Sequence, residues 1–445
     1  MKLKFPLFST ALEKDIGVIL LLTPLWWALG FNIFIYHLTA LIVFTRSFGV
    51  SLLRGRGIMM PKRLYPFAAL LFFYLVSIGI NIPLRPAQRI FASLNNYTML
   101  VMGMMLMMAI YNSRPAEMFD AAIQACRGLC WMSGILAVFS LMLWMVGYDN
   151  LSMEPLLMKA LPQLAGYPYF NSLMIMKLTV TEWLFGQTPR LSLYSGAPTA
   201  TGGLLLMITP LMMTYYQLAK QKKFEYAVGL SLALFALLFS QSRSAVCGAF
   251  AAFIFVEVLS RRHKILIASL SFMLALGMSR YIYQSIEWLL NIRTASNVGR
   301  LMLYQEALDI VREENPLLGI GVRLRDDFTM MTIGSHACYI EILFVAGIVG
   351  LTLFLVFQAL MAFEWFEQKK HLKDEVSKTL WKGLGLTFWG TNFWLVTDTL
   401  FAFPYIAYAY FLTGGLLYLF GRYVRRGAGF DWREGRLWLK EAGDR

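Results

Sequence analysis

The chain of 445 residues carries 40 Lys and Arg against 26 Asp and Glu, a formal net charge of +14, with 58% apolar and 15% charged residues. Together with a mean hydropathy of +0.58, this balance excludes a soluble globular domain and places the chain among polytopic membrane proteins. Sorting of basic residues to one side of a bilayer accounts for the positive charge, so it requires no nucleic acid partner.

In chain order, apolar runs at 15–29, 31–46, 65–81, 92–112, 127–147, 197–217, 224–240, 244–260, 264–279, 337–362, 380–400 and 402–420 predict about twelve membrane helices in one continuous all-α bundle over 1–445. The segment before the first run is followed by Glu13-Lys14-Asp15 without a small-residue cleavage pattern, so the first helix is expected to be retained. The Gly30-Phe31-Asn32 stretch predicts a tight turn between the first two runs. With both termini cytoplasmic, the larger share of Lys and Arg falls on the inner side, including the basic tail 421–445, which is expected to meet anionic lipid headgroups.

Two long segments then lie outside. Residues 148–195, rich in Met, Leu, Tyr and Trp, read as an amphipathic or re-entrant piece in the interface. Residues 280–336 form a large outer loop. Its helix places Leu301, Leu303 or Tyr304, Leu308 and Val311 on one face and stops at Asn315-Pro316.

Arginines that remain outside need a partner or a ligand. Arg190 precedes Leu-Ser-Leu-Tyr194-Ser-Gly-Ala-Pro198-Thr and a helix start, where free amides beside a guanidinium suit an anion; snorkelling of Arg190 and close helix packing by the small residues is the plainer reading. Arg243 sits in Ser240-Gln-Ser-Arg-Ser, an outer connection with almost no loop, where a carboxylate, carbonyls or a phosphate must satisfy it. Arg300 opens the loop helix, and Gly319-Ile-Gly321-Val-Arg323 follows it. That Gly-x-Gly fits a close backbone approach or simply a turn after a helix, and no P-loop or dinucleotide fingerprint surrounds it. His336 lies at the lip of a long apolar run with Glu341 five residues on. Its imidazole titrates near neutral pH and suits a general base, although a lone histidine at a helix start also serves as a cap.

Cys126, Cys130, Cys247 and Cys338 read as packing residues, and His37, His263, His336 and His371 occupy separate segments without ligand spacing. No metal site and no cofactor is therefore expected. Several arginines and one histidine on one face suit transfer of a group from a diphosphate leaving group to a hydroxyl. A transporter would instead show midplane charges in corresponding halves, which the sequence lacks.

The series LSLYSGAPTATGG, SQSRSA, GRLMLYQEALDIVREENPLLGIGV and SHACYIEILFVAGIVGL, over roughly 185–360, resembles the O-antigen ligase and Wzy-type polysaccharide polymerase superfamily. The resemblance implies a GT-C-like, metal-independent glycosyltransferase of the bacterial inner membrane, acting on an undecaprenyl-diphosphate-linked glycan at the periplasmic side. It further implies donor-phosphate roles for Arg190, Arg243 and Arg300 and an acceptor-activating role for His336. Arg323, Glu341 and Tyr194 are supporting candidates, Glu341 by pairing with an arginine. The acceptor is a glycan or lipid-linked sugar, with membrane lipids and a chain-length regulator protein as further partners. Ala197-Pro198-Thr199 departs from the family pattern, which often has an asparagine after a proline here. The interfacial 148–195 segment tips the choice slightly toward polymerase.

Overall fold

In the computed structural model, residues 12–53, 55, 57–84, 87–163, 174–183, 186–194, 196–219, 223–260, 294–325, 332–401, 403–433 and 436–440 are described. The described residues are mostly helical. In order, the helices are α1 (Leu12–Leu21), α2 (Thr23–Leu29), α3 (Ile35–Leu53), α4 (Tyr65–Asn81), α5 (Ala87–Tyr111) and α6 (Pro115–Met145). A short α7 (Leu156–Ala160) follows, then α8 (Pro198–Leu218), α9 (Lys223–Phe239), α10 (Arg243–Ser260), α11 (Thr294–Glu314), α12 (Cys338–Gln368), α13 (Glu375–Leu395) and α14 (Pro404–Val424). A helix underlies each expected apolar run that falls on described residues, and the run at 264–279 lies outside them. Among the described residues, six helical stretches are long and apolar enough to cross a membrane: Ile35–Leu53, Lys62–Asn81, Arg89–Tyr111, Pro115–Met145, Arg243–Ser260 and Cys338–His371.

The expected turn at Gly30 is present. Gly30 takes a left-handed φ of 88° and its N–H caps α2 on the carbonyls of Trp26 and Trp27. Prolines open several helices, Pro198 in α8 and Pro404 in α14 among them, where a missing N–H costs nothing. Asp374 caps α13 by accepting from Ser377 N at 2.6 Å.

At the centre stands α14, buried on all sides from Pro404 to Gly421. Between α12 and α13, Trp365 and Trp381 stack at 4.4 Å. Each indole N–H donates to the other residue's carbonyl, at 3.0 and 2.8 Å, which satisfies two polar groups deep in the apolar interior.

Two regions differ from the sequence reading. Residues 148–195 hold strands β1 (Leu151–Met153), β2 (Met176–Trp183) and β3 (Gly186–Leu191), an antiparallel sheet in the order β1-β2-β3. Leu178-Thr179-Val180-Thr181 alternates with period 2 and three of its four residues are β-branched, a strand pattern. Pro189 is tolerated because β3 is an edge strand. The basic tail is likewise folded: after α14, strands β4 (Gly429–Arg433) and β5 (Arg436–Lys440) form a hairpin. Buried Phe430 stacks on Phe420, and Trp432 meets Tyr215 edge-on. Within this tail, Arg422 donates to the Tyr111 carbonyl at 2.8 Å and Arg425 pairs with Glu364, which also receives Arg63.

The loop helix α11 is amphipathic, but its buried face is Leu303, Ala307 and Val311. Leu301 and Leu308, seven residues apart and so on a common face, lie off that i, i+4, i+8 stripe and are exposed.

The long apolar helix α12 is broken at Gly347, whose φ is 66° and ψ is −168°. A break in a membrane helix orphans backbone groups that lipid cannot satisfy. Here the strap Pro316–Gly321 supplies the partners. Ile320 and Gly321 donate to the carbonyls of Phe344 and Val345 at 2.8 and 3.0 Å, and Ile348 and Val349 donate to those of Pro316 and Leu317 at 2.9 and 3.2 Å. The glycines at 319 and 321 take positive φ and let backbone meet backbone; the Gly-x-Gly thus faces a helix break and α4.

Candidate active site

The ends of several segments meet on one side of the bundle. Strand β3 brings Arg190 beside the first turn of α8, and the turn between α9 and α10 ends at Arg243, the first residue of α10. That turn seats closely on α8 because Gly202 lacks a side chain; a methyl there would lie 2.4 Å from Ser242 Cβ. Helix α11 adds Asn297, which accepts from the Arg243 guanidinium at 2.9 Å, and Arg300, which donates to the Thr397 carbonyl at 3.3 Å.

Asp398 sits beside that carbonyl, in the connection between α13 and α14. Its backbone carbonyl accepts from Cys338 N at 2.8 Å, tying the start of α12 to this loop. Its side chain is buried, and Oδ1 accepts from Thr399 N at 3.1 Å. Burial raises its pKa to about 6, against the opposing pull of Arg300, Thr399, Thr199 and Arg190.

His336 lies in the bend before α12, with a left-handed φ of 71°, a strained backbone for any residue with a β-carbon. Tyr304 on α11 holds the bend by donating to the His336 carbonyl at 2.7 Å. Burial pushes the imidazole pKa down to about 4, and the positive fields of Arg300 and Arg323 push the same way. At pH 7 the ring is therefore neutral, with one nitrogen free of a proton.

Arg300 is the electrostatic hub, since its charge acts on Arg243, His336, Tyr304 and Asp398 alike. Arg190 reaches the same group through Asp398. Like-charged guanidiniums held around one carboxyl make a site that favours a polyanion, and a phosphate relieves their mutual repulsion while meeting their N–H forks.

The supporting candidates fall elsewhere. Arg323 forms an ion pair with Glu341 at 2.7 Å, and its backbone N–H donates to Ser93 Oγ at 2.8 Å. Glu341, 1% exposed, also accepts from Thr399 Oγ1 and from Asn96 at 3.3 Å. This network joins α5, α12 and the Asp398 loop. Replacing Glu341 with Ala is expected to cost about 3 to 5 kcal/mol, because it strands the Arg323 charge; the Tm of the purified protein in detergent measures it, and Glu341→Gln should lose less. Tyr194 is buried with its hydroxyl 2.7 Å from Ser133 Oγ on α6, a packing contact.

Sequence reasoning missed Asp398 because the apolar run was drawn through it. The signal was present: an acid at the end of a membrane run is costly and marks function by default. Thr199, in the segment that departs from the family pattern, was missed as an Asp398 partner.

Residues 228–355 match the family model described as O-antigen ligase. The match spans Arg243, Arg300, Arg323, His336 and Glu341 and leaves Arg190 and Asp398 outside it. A search of curated proteins found no match.

Proposed function

We propose that this multi-pass membrane protein, which carries an O-antigen ligase family domain at 228–355, is a metal-independent glycosyltransferase of the bacterial inner membrane. It moves a glycan from undecaprenyl diphosphate to a sugar hydroxyl on the periplasmic side, with both termini cytoplasmic. The observation that carries this reading is the gathering of Arg190, Arg243, Arg300, His336 and Asp398 around one helix-end junction.

In the proposed reaction the acceptor oxygen attacks the anomeric carbon, and the bond from that carbon to the diphosphate oxygen breaks. The electron pair leaves on the diphosphate, where Arg190, Arg243 and Arg300 stabilise the developing charge. The acceptor proton passes to neutral His336. Asp398, whose pKa is raised to about 6, balances the arginines while the site is empty.

The acceptor in this proposal is a second lipid-linked repeat unit, with a chain-length regulator as partner, which makes the protein a polymerase. The family description, O-antigen ligase, favours lipid A core instead. Deleting the protein separates the two: single repeat units on the carrier support the polymerase, and full-length chains left on undecaprenyl diphosphate overturn it in favour of the ligase. Arg243→Lys is expected to lower kcat/KM for the donor by about tenfold or more, because a point charge cannot reproduce a bidentate fork; steady-state kinetics with the lipid-linked donor checks this.

A further inference from the structure

The two arginines that arrive from opposite sides of the sequence gap, Arg190 on β3 and Arg243 on α10, are joined by one side chain. Gln241 stands at the apex of the turn between α9 and α10, buried, with a left-handed φ of 51°. Glycine or asparagine would take that backbone more readily, so the glutamine side chain is what the position needs. Its amide N–H group donates to Thr188 Oγ1 at 2.8 Å and to the Pro189 carbonyl at 3.1 Å. Its carbonyl accepts from Thr181 Oγ1 at 2.6 Å. One amide thus grips both strands of the β2–β3 hairpin, one residue before Arg190 and two residues before Arg243.

We propose that Gln241 is a positioning residue for the donor diphosphate, fixing the spacing between the Arg190 and Arg243 guanidiniums. This rests on the donor-binding reading of those arginines. Gln241 touches no substrate atom; it acts by locking a strand end to a helix start. The amide suits this task because both of its ends are used: a carboxylate of the same length would face the Pro189 carbonyl with no proton to give.

Kinetics of the purified protein in lipid nanodiscs, with the lipid-diphosphate-linked glycan as the varied substrate, test the proposal. Gln241→Ala is expected to raise the donor KM about tenfold, since loosening a phosphate clamp by about 1 Å costs on that order or more. Gln241→Gly, which relieves the backbone, should show the same KM increase, and Gln241→Glu at least as much. Acceptor KM should stay near the parent value, while Tm falls for Gln241→Ala and Gln241→Glu, which leave buried hydrogen-bond partners unmet. In an Arg190→Ala background the effect of Gln241→Ala should shrink to less than about twofold, because residues acting through one contact are not additive. Thr181→Val and Thr188→Val remove the same contacts from the strand side and should raise donor KM in the same direction; they decide the matter if the Gln241 variants fail to fold. A parent-like donor KM in the Gln241 and threonine variants, while Arg190→Ala and Arg243→Ala measurably impair transfer, overturns the clamp alone. If those arginine variants transfer glycan normally, the donor-binding reading falls and the clamp falls with it.

Discussion

Replacing His336 with Ala is expected to slow glycan transfer on the order of 10²-fold or more at pH 7, with donor binding retained. The ring is neutral at that pH because burial and the fields of Arg300 and Arg323 hold its pKa at about 4, so it can accept a proton without first losing one. Its backbone lies at a φ of 71°, which Asn tolerates better than Ala. His336→Asn should therefore be as slow as His336→Ala while keeping the fold, and separates lost chemistry from strain. If either variant keeps more than about half of the parental rate, His336 is not the base.

The pH profile makes a second, independent check on the same residue. A base works in its deprotonated form, so kcat/KM should be steady above the folded pKa and fall as pH drops through about 4. Were Asp398 the base, the fall would begin near its pKa of about 6. A bound diphosphate offsets the positive field of Arg300, which raises the imidazole pKa in the complex. The acid limb of kcat should thus lie at higher pH than that of kcat/KM.

Gly347→Val is expected to destabilise the protein by about 3 kcal/mol or more, from a left-handed backbone forced on a β-branched residue and from overpacking. The β-carbon would lie 2.2 Å from the Leu317 carbonyl oxygen. The chain cannot relax by straightening α12, because Pro316–Gly321 occupies the place where its hydrogen bonds would run. Gly321→Ala meets the Ser77 carbonyl at 2.5 Å on the other side of the strap and should move in the same direction. Thermal unfolding in detergent measures both, and a Tm within about 1 °C of the parent for Gly347→Val contradicts the account of the break.

The helical architecture was legible because hydropathy survives without any knowledge of neighbours: each run on described residues is a helix. Arg190, Arg243, Arg300 and His336 were legible for a related reason, since a charge beside an apolar run demands an explanation. The break in α12 was not. Ala346-Gly347-Ile-Val-Gly350 reads like the small-residue packing of an intact membrane helix, and only the strap from an earlier segment shows otherwise. The β-sheet was hidden for a different cause: Lys177-Leu-Thr-Val-Thr181 alternates properly, yet its Met- and Leu-rich surroundings suggested an amphipathic or re-entrant piece in the interface. Helical spacing put Leu301 and Leu308 on the apolar face of α11, whereas the bundle buries the stripe of Leu303, Ala307 and Val311.

The strap bears on how the chain matures. By composition Ile342–Phe363 is one stretch without a charged residue, which insertion machinery has no reason to treat as anything but a single rod. Its partner Pro316–Gly321 is made earlier, in the connection between α11 and α12. The four hydrogen bonds between them can close only after both have been delivered, so this docking step follows membrane threading. A chain arrested before that step carries a correctly inserted α12 and an undocked loop. Defects in the strap should consequently appear as clipping of that loop by protease added to opened membranes, with membrane integration intact.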